Sequence, residues 1–136
     1  MELATEVYTP MMDDRYFLAE MDIVLKQLLK NNITNVEMYF GWSWGDWTSF
    51  DTNATNIMSE VETYKSRENE FPGNDVYIVI KEMEVQLLFC HERDIHLSFN
   101  GHTKLTLDIL RSWNDRNLIH FIRRSGEEIK VKDLGL

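Results

Sequence analysis

Three short apolar runs sit close together in DVYIVIKEMEVQLLFCHERDIHLSFN, residues 75–100, and they constrain the fold of this chain more than any other stretch. The runs cover 76–80, 85–90 and 95–99, and the charged breaks KEME and HERD separate them. Each is too short for a helix and too rich in β-branched and aromatic residues for a loop. The pattern predicts a three-strand antiparallel meander with tight polar turns near Glu82 and Arg93.

The flanking chain supplies helices and further strands. Residues 2–8 read as a short edge strand stopped by Pro10. Asp13 or Asp14 offers an N-cap for a helix over 15–30, in which Phe17, Met21, Val24, Leu25 and Leu28 recur at steps of three and four. Over 33–40, Val36, Met38 and Phe40 alternate with Asn35, Glu37 and Tyr39, the period of a half-buried strand. GWSWGDWTSF, residues 41–50, breaks that pattern and reads as a turn or exposed loop that continues as a second strand from Trp47. Residues 53–69 predict a helix with Ile57, Val61 and Tyr64 inward, capped by Asp51 or Thr52 and ended before Phe71-Pro72-Gly73.

Beyond the meander, Leu105-Thr106-Leu107 alternates like a strand, while Leu107, Leu110 and Trp113 are spaced like a helix. The helix, over about 106–116, is the preferred reading, capped by Thr106 or Thr103. A strand over 118–124, a turn at Ser125-Gly126 and a return over 127–134 with Ile129 and Val131 on one face complete the chain. The fold class is α+β: a mainly antiparallel sheet with a central three-strand meander and about three packed helices, in one domain covering 1–136. The alternation of strand and helix near the N-terminus leaves room for one parallel pair.

The formal net charge is −9. Residues 1–100 hold 18 acidic and 7 basic side chains, against 5 and 7 in residues 101–136. An acidic body of this kind repels nucleic acid and anionic lipid, and it attracts a basic protein. Cys90 is the single cysteine, so the fold does not depend on an internal disulfide. No apolar run approaches the roughly 18 residues of a membrane span. The N-terminal MELATEVYTPMMDD lacks the basic and apolar regions of a signal peptide, so a cytoplasmic location is expected.

Catalytic chemistry finds little support in the residues. Neither a G-x-S-x-G elbow nor a phosphate-cradling glycine loop is present, so no catalytic residue is named and an enzyme is not expected. His91 and His96 suggest a metal, but their gap of five is not the helical spacing of four, and regular strand alternation sends them to opposite faces. Cys90 reads as a small buried hydrophobe. No metal or cofactor is expected. The Trp-rich loop points to binding: Trp42, Trp44 and Trp47, with Asp46 and Asp51, have the composition of an aromatic hot spot with an acidic rim. Glu92 and Asp94 on the meander turn form a second acidic patch. The same tryptophans suit a carbohydrate- or small-ligand-binding module, which is the competing reading.

With LLFCHERDIHLSF on consecutive strands, the WSWGDW loop, the acidic balance and the N-terminus without a signal, the chain resembles the small acidic immunity proteins that bacteria pair with polymorphic or contact-delivered toxins, the agents of contact-dependent growth inhibition. The likeness is one of whole-chain character and transfers no individual site residue. It implies a cytoplasmic, non-enzymatic protein that binds one cognate toxin domain, often a basic nuclease, with acidic side chains standing where substrate phosphates would lie. Trp42, Trp44, Asp46, Trp47, Asp51, Glu92 and Asp94 are then the expected contact residues.

Overall fold

A computed structural model describes residues 2–41, 47–65 and 70–136. In chain order the elements are β1 (Thr5–Tyr8), α1 (Asp14–Lys30), β2 (Asn35–Gly41), β3 (Thr48–Asn53), α2 (Ile57–Lys65), β4 (Asp75–Ile80), β5 (Val85–Phe89), β6 (Ile95–Phe99), α3 (Lys104–Asp115), β7 (Phe121–Arg124) and β8 (Glu127–Glu128). The fold is α+β, as the sequence predicts, and the meander β4–β5–β6 lies at the centre of one sheet ordered β3-β2-β4-β5-β6-β1-β7-β8.

Local chemistry explains where the helices begin. The Asp13 side chain accepts from the Tyr16 N–H and starts α1, whose buried stripe includes Phe17, Met21, Val24, Leu25 and Leu28. The helical spacing prevails in the ambiguous 103–116 stretch. Thr103 caps α3 in a reciprocal capping box with Thr106, and Leu105, Ile109, Leu110 and Trp113 point inward. In the sheet, Val36, Met38 and Phe40 of β2 join Val76, Ile78 and Ile80 of β4, and the alternate residues of β5 and β6, in one core with the helices. The buried apolar residues of all three helices belong to this cluster, so among the described residues the helices cover one face of the sheet.

Four expectations change. First, β1 is not an edge strand: it pairs with β6 on one side and β7 on the other. Long-range pairing brings the C-terminal hairpin beside it, which no local pattern encodes. Second, among the described residues every strand pair is antiparallel, so the room left for a parallel pair is unused there. Third, Asp51 and Thr52 do not cap a helix. They lie in β3, and Asn53 caps a single 3-10 turn, Ala54–Asn56, that leads into α2. Fourth, the C-terminal return is a strand only at Glu127–Glu128, after which the chain bends into a 3-10 turn at Val131–Leu134 that buries Leu134. Residues 66–69, expected to end the second helix, lie outside the described residues. No described helix is long and apolar enough to cross a membrane.

Candidate functional site: the open face of the sheet

Strand register lays the outward side chains of the sheet in two rows. One reads Ser49, Tyr39, Tyr77, Leu88, His96, Tyr8, Phe121 across seven strands. The next reads Asp51, Glu37, Val79, Gln86, Ser98, Glu6, Arg123, Glu128 across all eight. The first row is a band of five rings with one leucine and, at the edge strand, a serine; the second is a mixed band in which carboxylates outnumber cations. The signal for both was in the sequence, as the polar or aromatic partners of each alternating core residue, but the rows exist only once the register is set.

Neighbouring side chains hold these rows in place. The Tyr8 ring stacks on His96, with centroids 4.0 Å apart, and leans on Phe121 at 5.7 Å. Burial, and then a hydrogen bond from its hydroxyl to Glu6 Oε2, push the Tyr8 phenol up to about 12. Lys81 Nζ reaches Glu37 Oε2 at 2.6 Å. Glu37, Tyr39, Tyr77, Val79, Lys81 and Gln86 line a shallow depression of about 640 Å³. A second, of about 620 Å³, adjoins it along Asn35, Asp51 and Asn53.

The expected contact residues distribute unevenly. Trp47 is 40% exposed and meets Tyr77 of the open face, with centroids 5.6 Å apart and rings at 51°. Asp51 is exposed beside Glu37. Trp42, Trp44 and Asp46 lie outside the described residues. Glu92 is exposed at the β5–β6 turn, whereas Asp94 is half-buried on the open face: its Oδ2 lies 2.7 Å from His96 Nε2, and its side chain is only 15% exposed. Burial raises the Asp94 carboxyl, but the His96 hydrogen bond and charge, with help from the Cys90 thiol, outweigh it and hold the group below the ordinary carboxylate range. Among the described residues, the fully buried tryptophan is Trp113, on α3.

The end of this face gathers polar groups that strand alternation alone separates. Asp75 and Cys90 each follow the register of the paired core residues Val76 and Phe89, and the Cys90 N–H donates to the Asp94 carbonyl at 3.0 Å. Asp75, Cys90 and Asp94 therefore form a third row over β4, β5 and β6. His91 does not obey the alternation that sets it opposite His96, because β5 ends at Phe89 and His91 lies in the turn. His91 Nδ1 is 2.9 Å from Asp75 Oδ1 and 3.7 Å from Cys90 Sγ. A Cys–His–Asp triad uses the two ring nitrogens separately, one for each partner. Here a single nitrogen faces both, and burial pushes the Cys90 thiol up to about 12, so this is not the geometry of an activated nucleophile.

No family model, curated protein or solved structure matches this chain.

Proposed function

We propose that the protein is an immunity protein of a toxin–immunity pair, acting in the cytoplasm, and that it neutralises a basic toxin domain, in the first instance a nuclease, by docking through the open face of its sheet. The observation that carries this reading is the pair of rows on that face. Tyr39, Tyr77 and Trp47 supply rigid aromatic contact area, while Glu37, Asp51 and Glu6 supply negative charge beside it. Aromatic anchors in the centre with charges around them are the anatomy of a protein-binding surface. Eight strands at about 4.8 Å spacing span roughly 34 Å, close to the width of a small partner domain.

Charge complementarity defines the partner. With a net charge of −9, the chain steers a basic protein toward itself and repels nucleic acid, and its carboxylates occupy the cleft where substrate phosphates would bind. The carbohydrate reading is weaker: a sugar ring stacks on coplanar aromatic platforms, and Trp47 meets Tyr77 at 51°.

The test is coexpression with the product of the neighbouring gene. A 1:1 complex that abolishes the toxicity of that product supports the reading. Tyr77→Ala and Glu37→Lys should each weaken the complex, while Glu62→Lys, on the exposed side of α2, leaves it intact. If the neighbouring product neither binds nor is toxic, the reading is abandoned.

A further inference from the structure

The end row of the open face carries a mixed sulfur, nitrogen and oxygen donor set that aromatic docking does not need. One donor atom each from Cys90, Asp94 and His96 lie within 4.8 Å of one another. We propose that these three residues bind a zinc-class divalent cation, with solvent completing a tetrahedral site.

Three observations carry this. The first is the donor chemistry. A thiolate with an imidazole and a carboxylate suits zinc, whereas magnesium and calcium take oxygen donors. The second is an unsatisfied atom: Asp94 Oδ1 is buried and has no hydrogen-bond partner. A buried carboxylate oxygen left in this state is unfavourable unless something supplies positive charge. The third is placement. Asp94 and His96 flank and occupy the start of β6, two residues apart on one face, and Cys90 follows β5 directly opposite Asp94. The Tyr8 ring stacked on His96 fixes the imidazole plane, as outer groups do around metal ligands.

The His96–Asp94 leg of the site needs only a small adjustment, and the Cys90 sulfur lies within 4.8 Å of both donors. Tetrahedral zinc, with bonds of about 2.0 Å to nitrogen and 2.3 Å to sulfur, places its donors roughly 3.3–3.7 Å apart. The His96–Asp94 contact at 2.7 Å would open by less than about 1 Å as the cation replaces the shared proton. On binding, the thiol proton leaves to water, and the proton on His96 Nε2 is given up as well, to water from an imidazolium or by moving to Nδ1 in a neutral ring. The thiolate and carboxylate charges then balance the dication, so the buried site is neutral overall.

The second donor group, Asp75 with Cys90 and His91, shares the same sulfur. Its carboxylate is already engaged, since Asp75 Oδ1 accepts from the His91 backbone N–H at 2.7 Å and faces His91 Nδ1 as well. It therefore serves as the comparison arm.

Cobalt(II) is the probe, because a cysteine thiolate bound to it gives a charge-transfer band. The metal-free full-length chain is titrated with cobalt and then with zinc. The expected result is one cobalt per chain with a thiolate charge-transfer band, bleached by stoichiometric zinc. Asp94→Asn and His96→Ala each weaken cobalt binding by about 100-fold or more, beyond the roughly 10–100-fold typical of an outer-shell group. Cys90→Ser removes the band, and His91→Ala costs less than tenfold. Circular dichroism identifies any variant that fails to fold, and His96→Ala, at a half-buried position, is the deciding variant if Cys90→Ser does not fold. Absence of the band in the parent chain, unchanged affinity in folded His96→Ala, or loss of binding in His91→Ala alone would each overturn the proposal. The readout requires no toxin, so it stands or falls separately from the proposed function.

Discussion

The Trp113 indole N–H donates to Glu20 Oε1 at 2.8 Å and so ties the middle of α1 to α3 inside the protein. Glu20 is 3% exposed, and the Arg116 guanidinium, just past the end of α3, completes its coordination, with Nη2 at 2.9 Å from the same oxygen. A carboxylate this deep is tolerable only because an indole and a guanidinium both serve it.

Removing the two partners should therefore have unequal costs. Arg116→Ala strands a buried carboxylate with a neutral donor alone and should cost about 3 kcal/mol or more. Glu20→Gln keeps an acceptor for Trp113 and discards the charge, so it should cost less, about 1–2 kcal/mol. Urea unfolding of both variants checks the order; equal or reversed costs would show that the charge is not what the site must satisfy.

Asp108 predicts an acid-side effect. Hydrogen bonds from Lys104 Nζ at 2.7 Å, and then from Asn31 Nδ2 at 3.1 Å, hold its carboxyl below the ordinary value of 3.8. A carboxyl depressed in the folded state adds stability above its unfolded value, and that stability is lost as pH falls through the folded value. Asp108→Asn should therefore be less stable than the parent at neutral pH and converge with it as pH falls through the depressed folded value. The pair is solvent-accessible, so the neutral-pH difference should stay below about 1 kcal/mol. Urea titrations at both ends of the range measure it, and a gap that widens on acidification contradicts the assignment.

Glu84, between β4 and β5, sits at φ 52° and ψ 52°, in the left-handed region. Its N–H closes the turn onto the Lys81 carbonyl at 3.1 Å, so the conformation is held by the tight link between two central strands. Glycine adopts this region without the Cβ penalty, although it loses more entropy on folding. Glu84→Gly should raise stability by roughly 0.5–1 kcal/mol, and the β-branched Glu84→Val should lower it. Thermal melts of the two variants moving in the same direction would contradict this account.

If the open face is the docking surface, its two rows should separate kinetically. Asp51→Lys, on the exposed edge strand, should slow association and reduce its salt dependence. Tyr77→Ala, in the middle of the ring row, should mainly speed dissociation. Surface plasmon resonance against the neighbouring toxin at two ionic strengths distinguishes them. Equal effects on both rates from both substitutions would argue against the division of roles.

Much of the architecture was legible in the residues, for local reasons. Apolar alternation marked β2 and the meander, helical spacing marked α1 and α3, and Asp13 and Thr103 capped where capping chemistry places them. The candidate surface was legible only in part. Trp47 and Asp51 do border the open face, but Tyr8, Tyr39, Tyr77 and Phe121 carry no binding signal of their own, since each looks like an ordinary outward partner in its own strand.

Element type depends on neighbours a few residues away along the chain, and the amino-acid order alone specified it. Tertiary pairing set what no neighbour encodes. It placed β1 between β6 and β7 and lined up rings from five separate strands. It also turned Asp94 from a charge expected in an acidic patch with Glu92 into a half-buried partner of His96 beside Cys90. Those outcomes rest on contacts such as Thr5 with Arg124 and Glu20 with Trp113, whose partners are joined by hydrogen bonding and burial across nearly the whole chain, where sequence periodicity carries no information.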